Sequence, residues 1–403
     1  TTGDTVVDSG TMQLNNSAAA TGTIFIGNGG STATPATLNV GLSGLNIPNT
    51  IQTNIDAGGA SNIRTIAGTY ASGSSTISGP INVNGGLTIG ATNAAATLAV
   101  TGAIADGADG SAGISHNVTI NGGGNVLLSA ANTYTGNTTV SSGTMTVDTT
   151  GSLASPNVTV ASGATMNVNG ALAPSANVTA NGLAVFAGNH TANATLPIPL
   201  GTLNIGAGGI VRLADSDFAA RPSVMQPGSL TIDAAGKLDV MNNEVVFPGT
   251  AGGALTMIQA GQIVSTESPA DPSKALGYID LSGADAGKVE VRYTLKGDTN
   301  LDGIVNVGDL GALATNYNIT GGMSWANGDF TQDGTVNVAD LGALATNYNN
   351  HLANGAASGA VAQSLAIVAS GGGGATAVPE PGALSLVGLL ASSLLTRRRA
   401  RRS

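Results

Sequence analysis

NVTINGGGNVLL at residues 117–128, NTTVSSGTMTV at 137–147, NVTVASGATMNV at 157–168 and NVTANGLAVF at 177–186 begin with Asn117, Asn137, Asn157 and Asn177, each 20 residues after the last. Gly123, Gly143 and Gly163 keep the same step. Apolar and polar residues alternate within each copy, the period of a strand with one buried face. The Gly and Asn between them supply tight turns. Farther on, GTLNIGAGGIVRL at 201–213 matches GSLTIDAAGKLDV at 228–240 at an offset of 27. One such repeat cannot bury its apolar side alone, but a stack of them can. The pattern predicts a mainly β chain with a parallel β-helix, or solenoid, over residues 1–295. Roughly 13 coils at about 4.8 Å per rung would make a rod on the order of 60 Å long. A β-sandwich with evenly spaced strands is the alternative, although a sandwich does not require a fixed register.

Composition agrees with short strands and turns. Of 403 residues, 60 are Gly and 9% are charged, far below the roughly 25% of an ordinary soluble domain. With 42% apolar residues the chain is nevertheless no disordered polyelectrolyte. Net charge is −10 and five Arg lie among the last seven residues, so the body is more acidic still. An acidic body offers nothing to a phosphate backbone, and nucleic acid is not expected as a partner. Zero Cys excludes disulfides, thiolate metal sites and cysteine nucleophiles. The start at Thr1 without Met suggests that an export signal has been removed or left out.

Residues 128–147, LSAANTYTGNTTVSSGTMTV, resemble the autotransporter-associated β-strand repeat of secreted bacterial passenger proteins. Asn132-Thr133-Tyr134-Thr135-Gly136 and Ser142-Gly143-Thr144 carry the likeness. The resemblance implies a right-handed parallel β-helix displayed outside the cell, and neither catalysis nor an autotransporter mechanism.

The chemistry is concentrated later. NVGDLGALATNYN at 306–318 and NVADLGALATNYN at 337–349 differ at one position and lie 31 residues apart. Each follows an acidic loop, GDTNLDGIVNVGDL and GDFTQDGTVNVADL. Counted from the first Asp, side-chain oxygens fall at positions 1, 3, 5, 9 and 12. These are Asp298, Asn300, Asp302, Asn306 and Asp309 in the first loop, and Asp329, Thr331, Asp333, Asn337 and Asp340 in the second. Position 6 is Gly303 or Gly334, where a calcium loop turns sharply, and the carbonyls of Ile304 and Thr335 at position 7 complete the set. Three carboxylates so close repel one another unless a divalent cation sits between them, and Ca²⁺ accepts six to eight oxygens in a tolerant geometry. A metal-free Asp/Asn/Gly-rich turn is the alternative for one loop; two in register favour two Ca²⁺ sites. Leu310, Leu313, Ala314 and Tyr317, and again Leu341, Leu344, Ala345 and Tyr348, mark an amphipathic helix after each loop. Gly311 and Gly342 each weaken such a helix by about 1 kcal/mol. Residues 296–350 are too few to bury much core unaided, so metal binding and folding should be coupled.

Paired loop–helix units with Asp at position 12, and no helix entering the first loop, resemble the type I dockerin family. The resemblance implies two Ca²⁺ ions held by the residues just named, and a cohesin-like partner on a scaffold. Thr331 stands where the family usually carries Asn or Asp. Positions 10 and 11, often Ser-Thr in cohesin-binding members, are Val307-Gly308 and Val338-Ala339 here.

No catalytic constellation is expected. The three His (His116, His190, His351) each stand alone in a polar turn and read as surface. Asp106 with Asp109, and Asp215 with Asp217, read as solvated turns rather than acid/base pairs. Ser and Thr lack a nucleophile elbow, and the 371–374 Gly run lacks the Lys of a phosphate loop. The lone Trp325 is expected to pack within the calcium module.

Residues 351–377 read as an Ala/Gly/Ser-rich flexible tether. Residues 378–403 carry Val378-Pro379-Glu380-Pro381, the apolar stretch GALSLVGLLASSLLT and RRRARR. Fifteen apolar residues make a marginal transmembrane helix, whose Arg cluster belongs in the cytoplasm. This order resembles the PEP-CTERM sorting signal, which implies recognition and cleavage by an exosortase-type enzyme. An ordinary C-terminal anchor would give the same topology.

The expectation is therefore an exported, non-catalytic structural protein of the cell surface or matrix, self-associating into fibres, with two Ca²⁺ sites. The alternatives are an adhesin or dockerin-type module on a cohesin-like scaffold and, more remotely, a carbohydrate-active β-helix enzyme.

Overall fold

Val118 pairs in parallel with Thr138, Thr138 with Val158 and Val158 with Val178, so the 20-residue step is one turn of a parallel β-solenoid. The 27-residue offset is likewise one turn, with Leu203 beside Leu230 and Val211 beside Leu238. The computed structural model describes residues 3–16, 22–27, 35–54, 64–107, 115–187, 190–191, 194–195, 197–214, 223–267 and 271–352. The tether beyond Leu352, the sorting segment 378–403, the His190 side chain, Asp109, Asp215 and Asp217 lie outside the described residues.

Each turn contributes strands to two long sheets. One, of 13 strands, starts at Gly10–Leu14 and runs parallel through Glu244–Pro248. The other, of 10 strands, runs from Asn46–Ile47 to Ile263–Val264. A third face carries five strands, from Thr5–Val7 to Ile104–Asp106. It continues through three two-residue strands, Ala131–Asn132, Ser152–Leu153 and Ala171–Leu172.

Alternation decides what lies inside. Ile120, Val140, Val160 and Ala180 stack inward on one sheet, and Val126, Met145, Met166 and Ala184 on the other. Each fully buried Val, Met or Ile contributes about 1.5–3 kcal/mol. Between the inward residues, Thr119, Thr139, Thr159 and Thr179 lie in register on the outer side of the sheet, half-exposed. The repeated asparagines form a ladder at the sheet margin. The amide of Asn157 donates to Asn137 Oδ1 at 2.9 Å and that of Asn177 to Asn157 Oδ1 at 3.0 Å. The Asn137 backbone N–H joins it to Asn117 Oδ1 at 2.8 Å. Gly143 has φ +70°, and a Cβ there would meet the Gly122 carbonyl at 2.3 Å, which explains its place in the repeat.

Three expectations need correction. The stack is about nine turns, not 13, and at about 4.8 Å per rung its length is on the order of 45 Å. Turns outside the 20-residue region are longer: Leu87 and Val118, 31 residues apart, are neighbours in one sheet. Nor is the whole of residues 1–295 solenoid. After Glu244–Pro248 the chain forms helix α1 (Ala251–Gln259) and then an antiparallel hairpin, Lys274–Asp280 with Lys288–Leu295, which closes the long sheet. Parallel and antiparallel strands share a two-residue period, so alternation could not announce the reversal. His116, expected at the surface, is buried at 7% exposure, its backbone N–H 3.4 Å from Asp106 Oδ1.

Past the hairpin come α2 (Val307–Asn316), a single 3-10 turn at Trp325–Asn327, and α3 (Val338–Asn347). Their buried residues join the core cluster of the solenoid. Among the described residues, no helix is long and apolar enough to cross a membrane.

Candidate metal centre

Asn306 and Asn337 start the two helices by the same device. The Asn306 side chain accepts from Gly308 N–H at 2.7 Å, while Asp309 Oδ2 accepts from Asn306 N–H at 2.9 Å. In the second copy Ala339 N–H donates to Asn337 at 2.8 Å, and Asn337 N–H to Asp340 Oδ2 at 2.9 Å. These are capping boxes, so position 9 of each loop is occupied as a helix cap. Position 9 of a calcium loop often reaches its ion through water, which that use leaves open. Each helix ends earlier than the stripe implied. Tyr317 and Tyr348 are extended C-cap residues with 38% and 39% exposure, and Ala314 and Ala345 are exposed. The buried faces thus rest on Leu313 and Leu344, with Leu310 and Leu341 partly covered.

The loops coil around their first aspartates. Asp298 and Asp329 are fully buried, and Asp309 and Asp340 nearly so. Asp298 accepts from the N–H of Asp302 at 3.1 Å and of Gly303 at 2.9 Å, and from the Thr294 hydroxyl. Asp329 repeats the pattern with Asp333 N–H at 3.2 Å and Gly334 N–H at 2.8 Å. The last aspartates close the loops: Asp309 Oδ1 accepts from Thr299 N–H at 2.8 Å, and Asp340 Oδ1 from Phe330 N–H at 2.9 Å. Position 5 is half-buried in Asp302 and exposed in Asp333. Asp302 Oδ1 accepts from Ile304 N–H at 2.8 Å and Asp333 Oδ1 from Thr335 N–H at 2.9 Å. At position 3 the Asn300 amide donates to Asp302 Oδ2 at 2.9 Å. The Thr331 hydroxyl instead donates to Asp340 Oδ1 at 3.0 Å and lies 3.4 Å from Asp329 Oδ1.

The electrostatics are those of gathered like charges. Burial pushes the Asp298 carboxyl up to about 7, opposed by the Thr294 hydroxyl and reinforced by the charges of Asp302 and Asp309. Burial also raises Asp329, opposed by the N–H groups of Gly334 and Asp333 and reinforced by Asp340 and Asp333. Among the described residues, no three Asp, Glu, His or Cys side chains are close enough to hold an ion by themselves. The loop pattern demands less, since Asn, Thr and main-chain carbonyls share the work. An all-oxygen donor set of this kind suits a hard cation.

The two repeats clasp each other. Position 7 of each loop forms a β-bridge with the segment after the other helix, Ile304 with His351 and Thr335 with Thr320. Around these, Val305 N–H donates to the Asn350 carbonyl at 3.0 Å and Val336 N–H to the Ile319 carbonyl at 3.1 Å. Leu352, placed by its composition in the tether, is buried and donates to the Gly303 carbonyl at 2.8 Å.

No protein-family model matches this chain, and neither a curated protein nor a solved structure is similar to it. The geometry must speak alone.

Several contributing residues escaped the sequence pattern. Thr294 and Arg292 belong to the solenoid hairpin, yet one binds Asp298 and the other donates from Nη1 to the Leu301 carbonyl at 2.7 Å. Asn347, the last residue of α3, donates to the carbonyls of Ser273 and Lys296, both at 2.8 Å. Trp325 packs as expected, edge-on to Phe330 at 5.2 Å, but also against Tyr278 of the hairpin at 6.3 Å. Its only sequence signal was its uniqueness.

Proposed function

We propose that this chain is an exported, non-catalytic structural protein of a bacterial cell surface or matrix. Its solenoid serves as a spacer, and its paired loops bind two Ca²⁺ ions. The observation that carries the reading is the duplicated burial of Asp298 with Asp309 and of Asp329 with Asp340 beside further carboxylates. Such clusters are costly unless protonated or neutralised, and a bound divalent ion supplies that neutralisation. Asp298, Asn300, Asp302, the Ile304 carbonyl and Asp309 would hold one ion, with Asn306 acting through water. Asp329, Thr331, Asp333, the Thr335 carbonyl and Asp340 would hold the other, with Asn337 in the corresponding role. The exposed Asp333 and the short Thr331 hydroxyl make the second site the weaker. Calorimetry of the full chain tests this: two Ca²⁺ per chain are expected, and no uptake at millimolar Ca²⁺ would overturn it.

The C-terminal segment is proposed to enter the inner membrane with its Arg cluster cytoplasmic and to be cut by an exosortase-type enzyme. The intact mass of the cell-derived protein reads this directly. A second reading, a dockerin-type module for a cohesin-like scaffold, draws on Val307 and Val338. They stand 65% and 70% exposed at the same position of both copies. A chelator-sensitive pull-down from the native surface discriminates the two readings.

A further inference from the structure

The terminal strand of the long sheet, Lys274–Asp280, has a single strand neighbour, Lys288–Leu295. An edge strand of seven residues is a ready template for pairing with another chain, and proteins cover or blunt such edges. Here the cover is the loop–helix module, and it acts through one position of each loop. Leu301 and Gln332 both occupy position 4, and both are left-handed, with φ 57° and 60°. For residues other than Gly, Asn or Asp this conformation persists only when the surrounding loop enforces it. Leu301 lies over Gly277, and its carbonyl accepts from Arg292. The Gln332 amide donates to the Leu276 carbonyl at 3.2 Å, while its own carbonyl accepts from Gln259 of α1 at 3.1 Å. Each loop thus presents its strained residue to the end of the solenoid.

We propose that the module is a cation-dependent lid on this strand edge, and that opening the loops frees Lys274–Asp280 to pair with the same strand of a second copy. The inference rests on the calcium reading above. The sequence of the edge, KALGYID, favours a second copy as the occupant. Antiparallel self-pairing centred on Gly277 sets Lys274 of each copy opposite Asp280 of the other. A closed pair about a two-fold axis results, rather than an open filament.

The test uses the full chain, in Ca²⁺ and in EGTA, with calorimetry, hydrogen exchange and light scattering. In Ca²⁺ the expected state is a monomer. In EGTA the contacts of Leu301 and Gln332 with the strand should be lost, with exchange at Lys274–Asp280 at least tenfold faster in the residual monomer, and a dimer should appear. Gly277→Ala gives a second arm that leaves every proposed ligand in place. Its Cβ would lie 2.4 Å from Leu301 Cδ2 and 2.8 Å from the Trp325 ring, so the lid must lift. This variant should bind two Ca²⁺ and dimerise even in Ca²⁺. Two Ca²⁺ bound by the wild type, with exchange and mass unchanged in EGTA, would sink the lid alone. No Ca²⁺ uptake would sink both readings.

Discussion

The indole Nε1 of Trp325 donates to the main-chain carbonyl of Asp298 at 2.5 Å. That bond links the segment between the two repeats to the first residue of the first loop, under a ring that also touches the solenoid hairpin. It makes loop, intervening segment and solenoid end one packed body. Trp325→Ala should cost about 3–5 kcal/mol, the usual range for a buried Trp. Urea denaturation should show the loss, and near-ultraviolet dichroism of this single Trp should report the Ca²⁺ state of the wild type.

Asp298→Ala and Asp329→Ala should each abolish one ion site. Calorimetric stoichiometry is then expected to fall from two to one in either variant. Unchanged stoichiometry in both would exclude these residues as ligands.

Glu290, buried on Lys288–Leu295, gives a pH dependence outside the loops. Burial and the neighbouring charge of Glu244 raise its carboxyl well above the usual range, with Arg292 opposing. The folded chain therefore keeps a proton that the unfolded chain releases near pH 4–5. Stability falls as pH rises from there through the raised value, by up to about 1.4 kcal/mol per pH unit. Glu290→Gln should flatten that slope in thermal melts recorded across pH 4–8, and an unchanged slope would refute the assignment.

The Asn ladder and the core beneath it should differ in weight. Asn157→Ala removes exposed side-chain hydrogen bonds and should cost about 1 kcal/mol. Met166→Ala, two residues from the turn and stacked on Met145, should cost about 2–5 kcal/mol. Chemical denaturation of the two variants side by side measures the ratio.

The solenoid register was legible from Asn117 to Asn177 because each residue packs on its equivalent one turn away, so a contact is also a period. The loop oxygens were legible for a related reason: all the side-chain donors of one site lie within twelve residues. The turn count was not, because turns of irregular length carry no period. The helix faces were read one residue too far, since Tyr317 and Tyr348 sit where the chain has already left the helix.

The sequence by itself determined the strand alternation, the repeat step and the duplicated carboxylate loops, because each depends on neighbours near in the chain or on exact recurrence. Only the tertiary structure decided how the solenoid ends. The Gln332–Leu276 and Asn347–Ser273 bonds join residues 56 and 74 apart, with no recurrence to announce them. The left-handed Leu301 and Gln332 carry no Gly signal either; loop closure imposes their conformation, and the hairpin beneath gives it a use.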